Sequence, residues 1–275
     1  MEPMSFNGGF LNRFLTLCAF KLGSKGYIQR KTNRSGHVVF VSKYCIKSSP
    51  FTTLAEANTM QFVSENTSIP IPKVLCAFEH AGRTYIVMER VSGQSLAQGW
   101  VGRSKTSKAR IHEQLRSIVL QLRSITPPKN IGVANAYGGP VYDQRFPKQS
   151  SWGPFKTIQD FHRELRNGIE IEHLQDPSLA ADLRQLIEFH NQPRTRPVFT
   201  HGDLSSLNIL ARGDEIVGII DWETAGWMPP YWEYTSAWNV NPQNRFWQEE
   251  VGNYLTPMTH ELEMEKIRQR YFGDV

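Results

Sequence analysis

A polar segment in the second half of the chain carries residue types that suit phosphoryl transfer. Asp203 is followed five positions later by Asn208, and Asp221 ends an apolar run further along the chain. Phosphoryl transfer needs a carboxylate that orients the attacking hydroxyl and accepts its proton, and it needs oxygen ligands for Mg²⁺. We therefore interpret Asp203 as the catalytic base and Asn208 and Asp221 as the metal ligands.

The spacing around Asp203 matches the kinase catalytic loop, His-Arg-Asp-Leu-x-x-x-Asn, except that Gly202 replaces the Arg. After Asn208, the apolar runs 209–211 and 216–220 flank turn-forming residues, which predicts a hairpin that returns Asp221 to Asn208. The alternative is that each Asp only caps a turn or a strand end, as isolated Asp residues often do. The ordered set of three favours the kinase-like interpretation.

Three segments together resemble the aminoglycoside phosphotransferase family, in its fungal-type branch. They are His-Gly-Asp-Leu-x-x-x-Asn-Ile-Leu (201–210), Ile-Ile-Asp-Trp-Glu (219–223) and Pro-x-Tyr-Trp-Glu-Tyr (229–234). The resemblance covers about residues 38–238. It implies ATP-dependent transfer of the γ-phosphoryl group, with Mg²⁺, to a hydroxyl of a small molecule, and it implies that Glu233 anchors the catalytic loop. It does not identify the acceptor, because one fold serves many substrates.

The same resemblance implies the fold class and the domain organisation. We expect an α+β, bilobal protein-kinase-like fold, with a small β-rich N-lobe that contains one main helix and a larger, mostly helical C-lobe. Residues 1–91 are expected to form the ATP-binding lobe, and residues 92–275 the catalytic and acceptor-binding lobe.

An ATP-binding lobe should place a lysine beside the phosphates. The β-prone runs 38–41 and 44–47 put Lys47 at a strand end, as in kinases. Glu56 lies on a predicted helix over about 53–65, on the same face as apolar residues, so we expect an ion pair between Lys47 and Glu56. The alternative is a capping box, in which Glu56 bonds back to Thr53.

The apolar strand 84–88 leads into a segment that resembles the interlobe hinge of kinases. There we expect the backbones of Glu89 and Val91 to bind adenine; the alternative is a plain strand that ends at a glycine turn. No Gly-x-Gly-x-x-Gly loop is present upstream. A loop over the phosphates would therefore depend on a few small or basic residues, unless these only form a solvated turn: Arg30, Lys31, Arg34, Ser35 and Gly36.

The remainder of the C-lobe is predicted to be helical over about 111–125, 161–173 and 177–189. Between the first two helices lies a long stretch rich in Gly and Pro, 129–154, of a kind that often forms a binding loop. We list three candidates for contact with the acceptor there or just beyond, with packing as the alternative role of each: Asp143, Trp152 and Phe155. Glu223 is interpreted either as a residue that assists metal or substrate or as a structural carboxylate.

Composition places the chain among ordinary globular enzymes. The 275 residues are 40% hydrophobic and 21% charged, and the three cysteines show no disulfide or zinc spacing, which indicates a reducing, cytoplasmic location. The apolar stretch 14–20 is too short to span a membrane and predicts a helix that packs on the small lobe. The net charge of +5 is dispersed, so we expect no nucleic-acid partner, and it argues against a polycationic acceptor, which would need a locally acidic pocket.

Two other functions are compatible with the motifs. A protein kinase is disfavoured because no Ala-Pro-Glu follows Asp221 and Pro229-Pro230 leaves little room for an activation segment. A catalytically silent nucleotide-binding scaffold is disfavoured because the four residues of the proposed chemistry are all present: Lys47, Asp203, Asn208 and Asp221.

Overall fold

The protein is described by a computed structural model over residues 3–24, 37–147, 149–173, 177–193, 196–239 and 242–273. The proposed phosphate-covering residues Arg30, Lys31, Arg34, Ser35 and Gly36 lie outside the described residues.

The small lobe is built on a four-stranded antiparallel sheet with the order β1-β2-β4-β3. Its strands are β1 (Val38–Val41), β2 (Tyr44–Lys47), β3 (Val74–His80) and β4 (Arg83–Glu89). Helix α1 (Phe10–Gly23) covers one side of this sheet, and the Phe20 ring meets the Tyr85 ring edge-on at 5.5 Å. Helix α2 (Leu54–Asn66) packs on β3 and β4. The strands that position Lys47 and the N-terminal helix therefore form as predicted.

The chain then enters the larger lobe through a short strand, β5 (Gln94–Ser95), which pairs with the predicted hairpin. That hairpin consists of β9 (Ile209–Arg212) and β10 (Glu215–Ile219), and the three strands have the order β10-β9-β5. Two further antiparallel pairs flank the site: β6 (Val141–Tyr142) with β7 (Ser151–Trp152), and β8 (Val198–Thr200) with β11 (Gly226–Met228). The segment between β8 and β9 is the catalytic loop.

Helices make up most of the remainder of this lobe. They are α3 (Lys105–Ser124), α4 (Ile158–Leu165), α5 (Pro177–Asn191), α6 (Trp232–Trp238), α7 (Gln248–Val251) and α8 (Thr259–Phe272), with 3₁₀ turns at Ile171–His173, Trp222–Thr224 and Pro242–Trp247. The prediction of one helix over 161–173 is wrong in its extent. Asn167 and Gly168 take φ angles of 54° and 70°, and this left-handed backbone ends the helix.

The two lobes share one apolar core. Buried residues of α2, such as Met60 and Val63, belong to the same cluster as Leu115 of α3 and Trp222 after β10. This shared core holds α2 against the turn that follows Asp221. Within the described ranges, no helix is both long and apolar enough to cross a membrane. The position of the lobe boundary, between residues 91 and 92, stays a prediction.

Candidate active site

The catalytic loop brings Asp203 and Asn208 into direct contact. The side-chain Nδ2 of Asn208 donates to Asp203 Oδ2 and to the Asp203 carbonyl, both at 2.9 Å. Both hydrogen bonds use the amide nitrogen, so the amide oxygen of Asn208 is the atom of this side chain that would serve as a metal ligand. The five-residue spacing therefore places the two predicted residues in contact.

The hairpin returns Asp221 to this pair. The N–H of Ile220 donates to the carbonyl of Asn208 at 3.0 Å, which fixes the end of β10 against the catalytic loop. Asp221 itself has φ +68°, a left-handed conformation that few residues other than Gly, Asn and Asp adopt readily. Such strained positions persist where the surrounding structure fixes them, often at functional sites.

Lys47 lies at the centre of a cluster of carboxylates. Its Nζ is 2.6 Å from Asp221 Oδ1, 2.9 Å from Glu56 Oε1 and 3.3 Å from Glu223 Oε2. The predicted pair of Lys47 and Glu56 is thus present. The capping-box alternative is wrong, since Thr53 makes no side-chain capping hydrogen bond and Glu56 points to Lys47 instead.

This cluster contains more negative than positive charge. Burial opposes the charge of Lys47, but Glu56, Asp221 and Glu223 raise its pKa, so the ammonium stays protonated. Burial raises the pKa of Glu56 to about 7, although Lys47 counteracts it. Burial also raises the pKa of the Glu223 carboxyl. Three carboxylates around one ammonium make the site attractive to an added cation.

The donor set fits Mg²⁺ that is held jointly with phosphates. Asn208 offers an amide oxygen and Asp221 a carboxylate, and Mg²⁺ typically takes one or two protein carboxylates, with phosphate oxygens and waters completing the octahedron. Within the described part of the chain, no three acidic, histidine or cysteine side chains are arranged to hold a metal by themselves. The residues therefore fit a metal that arrives with a nucleotide.

A cleft of about 1360 Å³ joins this cluster to the hinge, and its lining includes Lys47, Glu56, Glu89, Val91 and Asp221. Four residues predicted to bind nucleotide thus face one space: Lys47, Glu56, Glu89 and Val91. Glu89 donates its N–H to the Lys73 carbonyl at 2.9 Å. The N–H of Val91 has no hydrogen-bond acceptor among the described residues. The Val91 N–H is therefore a donor that a ligand in the cleft can use.

Glu233 supports the catalytic loop from inside the lobe. It is 1% exposed, and its two carboxylate oxygens accept the N–H groups of His201 at 2.7 Å and Gly202 at 3.1 Å. Gly202 has φ +79°, and a Cβ there would lie 2.7 Å from the Thr224 carbonyl. Both facts explain why this chain has Gly where the kinase loop has Arg.

Sequence reasoning missed the role of His201. Its Nδ1 accepts the Asp203 N–H at 3.2 Å, and its Nε2 lies 3.1 Å from the Ile220 carbonyl. The ring therefore links Asp203 to Ile220, the residue before Asp221. The signal for this role was the motif position itself, two residues before Asp203.

Sequence reasoning also missed Arg145. Its guanidinium donates to both oxygens of Asp143 and to the Gly202 carbonyl. The available signal was the Asp-x-Arg spacing at 143–145, together with the lack of any Lys or Arg within 201–208.

The three candidate acceptor contacts take other positions. Asp143 is 2% exposed and is held by Arg145. Trp152 is 3% exposed and stacks on Phe146 at 5.0 Å, while Phe155 packs against the same core. These side chains contribute packing and positioning within the lobe.

Sequence comparison matches the chain to one family model and to a curated fungal protein. The model of the phosphotransferase enzyme family (APH) matches residues 29–264. The clavilactone A biosynthesis cluster protein Y of Ampulloclitocybe clavipes is 27% identical over 195 residues, which are 62% of this chain and 48% of that protein. This chain thus spans about half the length of the curated relative it matches.

Solved structures with the same fold include two aminoglycoside phosphotransferases. A thermostable mutant of APH(4)-Ia, in a ternary complex with AMP-PNP and hygromycin B, has a TM-score of 0.57 at 16% identity, over 88% of this chain and 86% of that chain. APH(2″)-IIa, in a ternary complex with ATP and streptomycin, has a TM-score of 0.52 at 14% identity, over 89% and 87%. These matches confirm the predicted bilobal, kinase-like fold.

Proposed function

We propose, since this chain belongs to the APH phosphotransferase enzyme family, that it transfers the γ-phosphoryl group of ATP to a hydroxyl group of a small molecule. The observation that carries the proposal is the connection between two side-chain pairs. Asn208 contacts Asp203, Lys47 contacts Asp221 in the lining of the cleft, and the hydrogen bond from Ile220 to Asn208 joins the two pairs. Phosphoryl transfer depends mainly on positioning and on charge stabilisation, and these four side chains supply both.

Each side chain has one role in the proposed reaction. Asp203 orients the acceptor hydroxyl and accepts its proton while the hydroxyl oxygen bonds to the γ-phosphorus. The bond from the γ-phosphorus to the β–γ bridging oxygen breaks, and ADP leaves. Lys47, oriented by Glu56, fixes the α- and β-phosphates. Asn208 and Asp221 would hold Mg²⁺, which would supply positive charge beside the phosphate oxygens.

We extend the proposal to the residues that bind adenine and to the roles of the two lobes. The carbonyl of Glu89 accepts from the adenine amino group, and the N–H of Val91 donates to the ring. Residues 1–91 bind ATP, and residues 92–275 carry the catalytic loop and bind the acceptor.

The acceptor class is proposed from the names of the relatives. One name refers to the biosynthesis of clavilactone A, and the other two refer to bound hygromycin B and bound streptomycin. All three compounds are small molecules. A small-molecule alcohol is therefore the acceptor class that we propose for this chain, without a commitment to any of these compounds.

Two measurements test the proposal. Calorimetry with ATP should show binding that depends on Mg²⁺, because the phosphates otherwise meet the carboxylates of Asp221 and Glu223. A library of small hydroxyl compounds should then be screened for ADP release, with Asp203→Asn as the matched control. Binding of Mg-ATP without turnover on any compound would favour the scaffold. Turnover on generic protein substrates alone would favour a protein kinase.

A further inference from the structure

The peptide that joins Gly202 to Asp203 is held by side chains at both ends. Its carbonyl accepts from Arg145 Nη2, and its N–H donates to His201 Nδ1 at 3.2 Å. The preceding N–H, on Gly202, is bound by Glu233. Gly202 has no side chain and a φ of +79°, so its backbone is intrinsically free to rotate and needs such external support.

Arg145 reaches this peptide from a distant part of the chain. It lies in the loop between β6 and β7, 57 residues before Gly202. Asp143 fixes the guanidinium in a bidentate pair, with Nε to Oδ1 at 2.7 Å and Nη2 to Oδ2 at 2.6 Å. The Asp143 side chain is 3% exposed. Charge-assisted bidentate pairs restrict geometry strongly, so the position of Arg145 is well defined.

The charge on Arg145 is permanent. Burial disfavours it, but Asp143, Asp203 and Glu265 raise the pKa of the guanidinium. The catalytic loop contributes no cation of its own, since residues 201–208 include neither Lys nor Arg. Arg145 is a cation that interacts electrostatically with the Asp203 carboxylate.

We propose that Arg145, anchored by Asp143, is the positioning residue of the catalytic loop: it fixes the Gly202–Asp203 peptide and so holds the base in its working orientation. The role of Asp203 as a base rests on the proposed function. The fixing of the loop by Arg145 is independent of that function, because it is a property of the protein without ligand.

The variants must separate positioning from general damage to the fold. Arg145→Gln alone leaves the buried Asp143 carboxylate unpaired, which is destabilising. The double variant Asp143→Asn/Arg145→Gln replaces the ion pair with two neutral amides and avoids that penalty. Arg145→Lys keeps a cation but loses the fork of donors. Arg163→Gln, at an exposed arginine of α4, is the matched control.

Hydrogen exchange measures the loop directly. In the double variant, amide exchange in a peptide that covers 201–208 should rise by about tenfold or more, the loss expected for one hydrogen bond to a charged group. Exchange in α3 and the melting temperature should stay near those of the Arg163→Gln control. The exchange rate over 201–208 in Arg145→Lys should lie between the rates in the double variant and in the wild type. Unchanged exchange over 201–208 in the folded double variant overturns the proposal.

Turnover and nucleotide binding supply the second readout. Turnover is measured with the acceptor from the library screen, or with water as the acceptor if none is found. In the double variant kcat should fall by at least about tenfold, because a misplaced base stabilises the transition state less. The Kd for Mg-ATP should stay within about twofold of the wild type, and Arg145→Lys should restore part of kcat. If the double variant loses Mg-ATP affinity and kcat by equal factors, or if Arg145→Lys restores no part of kcat, Arg145 has only a structural role. A wild type that neither binds Mg-ATP nor turns over contradicts the proposed function instead, while the exchange result still decides the role of Arg145.

Discussion

Glu56→Gln should remove a pH dependence from the stability of the nucleotide-free protein. Glu56 is 2% exposed, and only one of its carboxylate oxygens is paired, with Lys47 at 2.9 Å. Its pKa rises from 4.5 to about 7 because burial disfavours the ionised form more than Lys47 favours it. Gln is close in shape to Glu and still accepts from Lys47, so the substitution removes the titration with little change in packing.

The sign and size of the effect follow from linkage. Between pH 4.5 and about 7 the folded protein binds a proton at Glu56 that the unfolded chain has lost, so stability falls as pH rises. At roughly 1.4 kcal/mol for each unit of pKa difference, the total is on the order of 3 kcal/mol. This contribution is fully present below pH 4.5 and is lost once the pH exceeds about 7.

Urea denaturation of the two proteins between pH 4 and pH 8, without nucleotide, measures this difference. The stability of the wild type relative to Glu56→Gln should decline by about 3 kcal/mol across the range, most steeply between pH 5 and pH 7. Glu65→Gln, at an exposed position of the same helix, is the control and should follow the wild type. A difference between wild type and Glu56→Gln that is flat, or that increases with pH, would refute the reasoning.

Three further outcomes are expected. Asp203→Asn should retain Mg-ATP affinity in calorimetry and lose about 10²–10⁴-fold in turnover, because a general base acts in the transition state; near-normal turnover would exclude Asp203 as the base. Asp221→Asn and Asn208→Ala should each raise the Mg²⁺ concentration for half-maximal ATP binding by at least about tenfold, measured by magnesium titration; an unchanged midpoint would remove that residue from the metal site. Gly202→Ala should destabilise the fold by more than the roughly 1–2 kcal/mol of left-handed strain, whereas Gly213→Ala should cost only the strain, because its Cβ meets no atom within 4 Å. Equal losses in denaturant melts of the two Gly variants would show that the Thr224 carbonyl imposes no clash.

Local sequence patterns predicted much of this site. Alternating and apolar runs located β1, β2 and the β9–β10 hairpin, since hydrogen bonding between neighbouring strands depends on short stretches of chain. The helical period placed Glu56 on the inner face of α2, where Lys47 meets it. The interval between Asp203 and Asn208 indicated a kinase-like loop, and the structure adds the contact between the two side chains.

Contacts set by tertiary packing were not predictable in the same way. The approach of Arg145 to Gly202 depends on how the β6–β7 loop folds over the catalytic loop, and no periodicity encodes that distance. For Asp143 and Trp152 the sequence left acceptor contact and packing open for the same reason, and their burial in the structure favours packing. The end of α4 was misplaced because the apolar spacing continues past Asn167 and Gly168, where the backbone turns.

The hinge packs directly on the hairpin that joins Asn208 to Asp221. β5 pairs with β9, and a Cβ on Gly218 of β10 would lie 2.9 Å from Val91 Cγ1, so hinge and hairpin are in van der Waals contact. Lys47 belongs instead to the four-stranded sheet, and its Nζ lies 2.6 Å from Asp221 Oδ1. A movement of that sheet relative to the hairpin would therefore change the distance from Lys47 to Asp221 and leave the contact between Asp203 and Asn208 unchanged.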